Sequence, residues 1–432
     1  MTDHPNFQSQ PSALHSLPGP EDIHRAELPN GIVVLARANF NSPSVVITGY
    51  LPAGGIFDPN EKLGLADFTA SALMRGTAQR NFQQVYNALE SVGASLGIGG
   101  GTHNASFSGK ALAEDLDLLL ELLGDALRRP VFPLDQVERL RAQLLTALSI
   151  RAQDTADMAS LAFDQLVYAN HPYSRPEDGY PETVQAISPA DLVDFHRRQY
   201  GPRGLVIALV GALDPLGAVD KVAQAFGDWQ NPDQPPPPVL PALTPLETPV
   251  VRKVTIAGKS QADLVIGAAG PARSSPHFLA ASLGNSVLGQ FGMMGRIGEV
   301  VREQAGLAYY ASSSLSGGLG PGPWCVSAGV DPQNIAEVIE LVHQEIVRFT
   351  SEPVTQEELA DSQANYVGRL PLSLESNGGV AAALINLERY GLGLDYYQRY
   401  SRLVYEITPE QCLEAARRYL DPTRLATAVA GS

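Results

Sequence analysis

The sequence is short of the residues that several common classes of protein need. Only two of its 432 residues are cysteines, too few for a disulfide scaffold or a cysteine-rich zinc site. Lys and Arg number 30 against 46 Asp and Glu, and the formal charge of −16 leaves no basic face for nucleic acid or an anionic membrane surface. No apolar run is long enough for a transmembrane helix. The start shows no signal peptide, so we expect a soluble cytoplasmic protein.

The eight histidines are too far apart for a helical metal site. A zinc site of the HExxH or HxxEH kind needs two imidazoles one helical turn apart on one face. No two of the eight histidines lie three, four or five residues apart. Any metal site that used histidine would therefore have to be assembled from distant segments.

A proline-rich segment near the middle divides the chain. Four consecutive prolines, 235–238, predict a short polyproline II spacer, because each ring fixes φ and removes a hydrogen-bond donor. Apolar residues make up 44% of the chain, enough for a core on each side of this spacer. We predict an N-terminal tail at 1–24, a first domain at 25–229, a linker at 230–248 and a second domain at 249–432.

The segments on the two sides of the spacer repeat the same motif. In the first, Ile187 is followed by an N-cap type residue and a proline, and a helical stretch and a strand end at Gly211. In the second, Ile407 opens the same series, which ends at Gly431 after the same number of residues. A serine or threonine N-cap followed by proline at the first helical position predicts a helix start in both copies. The repeat indicates a gene duplication.

Each half alternates between helical and strand patterns. The strongly apolar stretch 111–127 predicts a buried helix, and alternating stretches such as 45–51 predict strands. The predicted fold class is α+β, with two duplicated domains that each consist of a mostly antiparallel sheet with helices packed on one face.

Three motifs resemble a known family. They are Gly64-Leu-Ala-Asp-Phe-Thr-Ala-Ser-Ala-Leu-Met-Arg-Gly-Thr77, the segment that begins His171-Pro-Tyr-Ser, and Arg302-Glu-Gln-Ala-Gly-Leu-Ala-Tyr309. Together they resemble the pitrilysin/insulinase-type metallopeptidases, or inverzincins, and in particular the small bacterial and mitochondrial-processing-peptidase-like members. The resemblance runs through nearly the whole chain, from about residue 27 to the end.

The chain departs from that family at the zinc motif. Family members carry His-x-x-Glu-His, in which the histidines bind zinc and the Glu is the general base. The same frame here holds Asp67, Ala70 and Ser71, and Ala147 stands where the resemblance places the third ligand, a Glu. Alanine offers no proton acceptor, and serine is a poor zinc ligand. The resemblance therefore implies a chain with no cofactor of its own.

Other family features are retained in the second half. The resemblance implies that Arg302 and Tyr309 reach the zinc site from the second domain, where they bind the substrate backbone and the developing oxyanion. A guanidinium and a phenol suit those tasks. A glycine-rich loop that includes Gly289, Gly292 and Gly295 resembles the segment with which non-catalytic processing-peptidase subunits are thought to handle substrate.

Three functions follow as alternatives. The first is a non-catalytic subunit of a heteromeric zinc peptidase, which completes the active site of an HxxEH-bearing homologous partner that carries the zinc and cleaves peptide substrates. The second is a peptide-binding or assembly protein with no catalytic role, which could form a homodimer when alone. The third is a hydrolase with a rebuilt metal site that combines Asp67 with the distant His103 or His171.

Overall fold

Two sheets of matching topology form the framework of the protein. The computed structural model describes residues 17–236, 239–290 and 295–432. The first sheet has the order β1-β2-β6-β3-β5-β4 and the second the order β7-β11-β8-β10-β9. The strands are β1 (His24–Glu27), β2 (Val33–Ala38), β3 (Ser44–Leu51), β4 (Ser95–Gly99), β5 (Ala105–Leu112), β6 (Val206–Gly211), β7 (Val250–Thr255), β8 (Ala262–Ala269), β9 (Ala308–Gly317), β10 (Pro321–Val330) and β11 (Ala426–Gly431).

Strand directions repeat as well as strand order. In the first sheet β2 and β6 are parallel and the other neighbours are antiparallel. In the second sheet β7 and β11 are parallel and the other neighbours are antiparallel. Apart from β1, each strand of the first sheet has a counterpart in the second. This correspondence confirms the predicted α+β fold and the duplication.

Helices connect the strands in a matching order. The first half contains α1 (Leu65–Ala72), α2 (Phe82–Ser91), α3 (Leu116–Arg128), α4 (Leu134–Arg151), α5 (Thr155–Val167), α6 (Pro181–Ala186), α7 (Pro189–Gln199) and α8 (Pro215–Phe226). The second half contains α9 (Phe278–Gly289), α10 (Gly295–Gly298), a π-helical segment (Glu299–Gln304), α11 (Ile335–Ser351), α12 (Gln356–Ser373), α13 (Asn377–Arg389), α14 (Tyr396–Tyr405) and α15 (Pro409–Tyr419). In the parts of the chain that the structure describes, no helix combines the length and apolar character needed to cross a membrane.

The helix starts predicted from the repeat are present in both halves. Ser188 caps α7 by accepting a hydrogen bond from the backbone N–H of Asp191, whose side chain completes a capping box. Thr408 caps α15 in the same way with Gln411. A proline follows each cap, where its missing N–H costs nothing.

The two halves exchange one helix each. Along β6, Ile207 and Leu209 face the core of the first half, whereas Val206 and Ala208 pack with α13 of the second half. Reciprocally, α5 of the first half packs against the second sheet, where Ala428 of β11 lies in the same apolar cluster. Each sheet thus has its own helices on one face and a helix from the other half on the opposite face. This exchange ties the halves together through two apolar cores.

The predicted helix at 111–127 is wrong in its first residues. Ala111 and Leu112 end strand β5, whose residues alternate between buried and exposed, and α3 begins only at Leu116. The alternation continues through Ala111, so its side chain projects from the sheet into the core of the first half.

The predicted boundaries fall in segments that the structure describes only in part. The first 16 residues of the tail and prolines 237 and 238 lie outside the described residues. Strand β1 begins at His24. Leu243 and Leu246 of the predicted linker pack against the cluster that contains α5. The domain boundaries stay predictions.

Candidate functional site

Helix α1, which carries the altered zinc motif, is held firmly at its start. The Asp58 carboxylate accepts hydrogen bonds from the backbone N–H groups of Gly64 and Ala66, both at 2.9 Å. Gly64 has φ +92°, and a Cβ there would lie 2.8 Å from the Asp178 carbonyl oxygen, so only glycine fits. Burial raises the pKa of Asp58 to about 7. The motif helix is therefore fixed in place although the motif itself has changed.

The position of the family's general base is closed to solvent. Ala70 is 0% exposed and belongs to the core of the first half. Asp67 and Ser71, at the two histidine positions, are half-buried on the same helix. At the third ligand position, Ala147 is exposed on α4, which contacts α1. The four positions thus carry one carboxylate, one hydroxyl and two methyl groups.

Asp67 lies in an acidic environment. Burial, with the nearby charges of Asp178 and Glu177, raises the pKa of the Asp67 carboxyl to about 6, although the backbone N–H of Gly100 opposes this by hydrogen bonding to the carboxylate. Glu177 itself accepts a hydrogen bond from the backbone N–H of Thr102 at 2.7 Å. Glu177 and Asp178 belong to the segment that begins at His171. The sequence contains no sign that this segment approaches Asp67.

The two histidines considered for a rebuilt metal site lie around a tyrosine instead. His103 Nε2 hydrogen bonds with the Tyr173 hydroxyl at 2.6 Å, and the His171 ring contacts the Tyr173 ring edge-on at 4.6 Å between centroids. Burial lowers the pKa of His103 to about 4. Within the described ranges no three His, Cys, Asp or Glu side chains are placed to hold a metal ion. The rebuilt site receives no support from this arrangement.

Arg302 lies in an irregular segment next to the edge of the second sheet. Helix α10 ends at Gly298, and Glu299–Gln304 form a π-helix. Such segments occur often at functional sites. The Arg302 side chain is 38% exposed, and its ion pair with the adjacent Glu303 is long, at 3.8 Å. The Arg302 guanidinium therefore contributes little to the stability of the fold.

Tyr309 stands on the edge strand β9 and is 67% exposed. The pairing of β9 with β10 passes from Tyr310 to Ala308 without a partner for Tyr309, so Tyr309 is the extra residue of a β-bulge. The next residue, Tyr310, donates a hydrogen bond to Asp263 at 2.5 Å. Bulges at sheet edges commonly redirect a side chain. Here the bulge leaves the Tyr309 phenol in solvent.

The glycines of the predicted substrate loop have packing roles where the structure describes them. A Cβ on Gly289 would lie 2.3 Å from the backbone nitrogen of Ser313, so α9 approaches β9 too closely for any side chain. Gly295 has φ +62°, and a Cβ there would lie 2.5 Å from the Val287 carbonyl oxygen. Gly292 lies outside the described residues. A role of these glycines in substrate binding stays a prediction.

Comparison with known proteins places this arrangement in a family. Residues 33–176 match the family model described as insulinase (peptidase family M16), and residues 186–366 match the one described as peptidase M16 inactive domain. The chain belongs to the M16, or insulinase, family of peptidases. The altered zinc motif lies within the first of these ranges, and Arg302 and Tyr309 lie within the second.

The relatives and solved structures cover almost the whole chain. An uncharacterized zinc protease of Mycobacterium leprae is 25% identical over 95% of this chain and 92% of its own length. A protein of Helicobacter pylori, named as a non-peptidase homolog, is 25% identical over 88% of this chain and 86% of its own length. The crystal structure of a peptidase M16 inactive domain from Pseudomonas fluorescens superposes with a TM-score of 0.88 at 25% identity, covering 95% of this chain and 98% of that one.

Proposed function

We propose that this chain is the non-catalytic subunit of a cytoplasmic heteromeric zinc metallopeptidase. A homologous partner with an intact HxxEH helix would carry the zinc and the general base. This chain would contribute Arg302 and Tyr309 to peptide hydrolysis at the partner's zinc site.

One observation carries the proposal. The helix that holds the zinc motif in family members is folded here. Ala70, which stands at the general-base position, is buried in the core and has no functional group. The pair in the second half remains free for a ligand, with Tyr309 displayed by a bulge and Arg302 by a π-helical segment. The chain therefore keeps an accessible arginine and tyrosine although it lacks the general base and the zinc ligands.

The two side chains suit the charge that forms during peptide hydrolysis. A guanidinium is permanently charged and can donate two parallel hydrogen bonds to a carbonyl or oxyanion. A phenol can donate to a developing negative oxygen. Zinc would polarise the substrate carbonyl and lower the pKa of the attacking water. These roles are complementary, so neither subunit would be fully active alone.

The test is reconstitution with an HxxEH-bearing homologue from the same genome. We expect the mixture to cleave unfolded peptides faster than the partner alone, and Arg302→Ala and Tyr309→Phe each to lower kcat by roughly 10- to 1000-fold. Arg402→Ala is the matched control, because Arg402 is an exposed arginine on α14 with a long ion pair of 3.7 Å to Glu406. Cleavage that neither this chain nor its Arg302 and Tyr309 variants alter would rule the proposal out.

A second candidate is a peptide-binding or assembly protein without any catalytic partner. It is favoured by the Helicobacter pylori relative, whose name describes it as a non-peptidase homolog. It predicts that the chain alone, as monomer or homodimer, binds unfolded peptides. Size-exclusion chromatography and peptide titration of the purified chain distinguish the two, because the subunit proposal requires the partner for function.

A further inference from the structure

An open pocket in the second half is lined by an arginine and several aromatic side chains. The pocket has a volume of about 340 Å³, within the range of small-ligand sites. It lies where the exchanged helix α13 ends and the chain returns to its own half through α14. Its lining residues are Arg273, Phe278, Gly317, Leu370, Asn386, Tyr390, Tyr396, Tyr397 and Tyr400.

Aromatic rings hold the Arg273 guanidinium in position. Its central carbon lies 4.7 Å from the centre of the Phe278 ring and 5.5 Å from that of the Tyr396 ring. Nη2 also donates a hydrogen bond to the Tyr396 hydroxyl at 2.8 Å. A guanidinium stacked on rings and tied to a phenol loses little further freedom when a ligand binds.

The same guanidinium has donors to spare. An arginine side chain carries five N–H donors, and the bond to Tyr396 uses one of them. Within residues 17–236, 239–290 and 295–432, no carboxylate pairs with Arg273. The Arg273 guanidinium, which has no carboxylate partner in those ranges, faces a pocket whose other lining side chains are mostly aromatic.

We infer that this pocket binds a carboxylate attached to an aromatic body, such as the last residue of a peptide with an aromatic side chain. The fork of Arg273 pairs with the two carboxylate oxygens. The tyrosine rings provide the apolar and edge-to-face contacts that an aromatic group prefers. The Asn386 side chain, which hydrogen bonds with the Tyr397 side chain, lines the same pocket. The volume limits the body to about one side chain.

The site is separate from Arg302 and Tyr309, so it does not depend on the proposed catalytic role. Tyr396 also belongs to the apolar cluster in which α13 covers the first sheet. Because Tyr396 is buried and already bonded to Arg273, this wall of the pocket is in place before a ligand binds.

Calorimetric titration of the wild-type chain tests the inference without any variant. The probes are N-acetyl-L-phenylalanine and N-acetyl-L-phenylalaninamide, which differ only in the charge of the end group. We expect the acid to bind about tenfold or more tightly than the amide. Equal affinities, or no binding of either probe at millimolar concentration, overturn the inference.

Variants then assign the effect to the arginine. Arg273→Gln is expected to abolish the preference for the acid, and Arg273→Lys to retain part of it, because lysine keeps the charge but not the fork. Arg402→Gln, on the exposed side of α14, is the control and leaves the preference unchanged. A full preference for the acid in a folded Arg273→Gln protein contradicts the assignment. A peptide ending in phenylalanine, tested as acid and amide, shows whether the source is a peptide end or a free acid, and acid-selective binding of either supports the inference.

Discussion

The altered motif on α1 and the retained pair around β9 have opposite structural characters. On α1 the position of the catalytic base is a methyl group with no solvent access, and the helix is anchored by the buried Asp58. Around β9 a π-helix and a β-bulge, both irregular, bring Arg302 and Tyr309 to the surface. A regular, sealed helix indicates a scaffold role, whereas irregular backbone that exposes a charged and a phenolic side chain indicates contact with a ligand.

The largest expected effect tests whether the general-base position on α1 is closed to solvent. Ala70→Glu would place a carboxylate in a core position that is 0% exposed. Because a buried charge without a partner is costly, we expect the free energy of unfolding to fall by about 3 kcal/mol. Urea denaturation followed by circular dichroism measures the change.

The control for that substitution is the next residue along the helix. Ser71→Glu introduces the same charge at a half-buried position, where the side chain can reach water, and should cost much less. Equal losses from the two variants would mean that Ala70 is no more sealed than Ser71, and the contrast between α1 and β9 would lose its main support.

The sequence predicts those parts of the fold whose causes are local. The caps Ser188 and Thr408, each followed by a proline, mark helix starts through contacts within one turn, and the repeat of their spacing indicated the duplication. The exchange of α5 and α13 has no such local cause. An apolar helix face does not specify which sheet it covers, although the unbroken apolar run Val206–Gly211 is typical of a strand covered on both faces.

The candidate site shows the same division. Loss of the general base and of the third zinc ligand is readable from the residues themselves, because Ala70 and Ala147 have no functional groups. The exposure of Tyr309 depends on a bulge that only pairing with β10 creates, and the acidic surroundings of Asp67 depend on a distant loop that brings Glu177 near it. Tertiary packing determines both, so the spacing of motifs carried no sign of either.

Asp67 offers a smaller test on the same helix. Its folded pKa of about 6 lies above the usual value for an aspartate, so the folded protein holds this proton more tightly than the unfolded chain. The fold should therefore lose stability as the pH rises from 4 towards 6, by about 1–2 kcal/mol from this group. Asp67→Asn should remove that part of the pH dependence and make the protein more stable at pH 7.

The measurement is the unfolding midpoint in urea between pH 4 and pH 7. Glu61→Gln is the control, since Glu61 is an exposed acid close to the start of α1, and it should leave the profile unchanged. If the Asp67→Asn profile matches that of the wild type, Asp67 is better solvated than its burial suggests. Helix α1 would then be more accessible to solvent, and it would differ less from the region around β9.

The smallest expected effect separates two adjacent tyrosines on β9. Tyr309→Phe removes a hydroxyl that lies in solvent, and the free energy of unfolding should change by less than about 0.5 kcal/mol. Tyr310→Phe removes the donor of the hydrogen bond to Asp263 and should cost about 1–2 kcal/mol, because bonds to charged acceptors contribute more than neutral ones. Urea denaturation at neutral pH compares them directly. If Tyr309→Phe lowers the free energy of unfolding as much as Tyr310→Phe does, the exposed hydroxyl stabilises the fold. Ligand binding would then not be needed to explain why a tyrosine stands at this position.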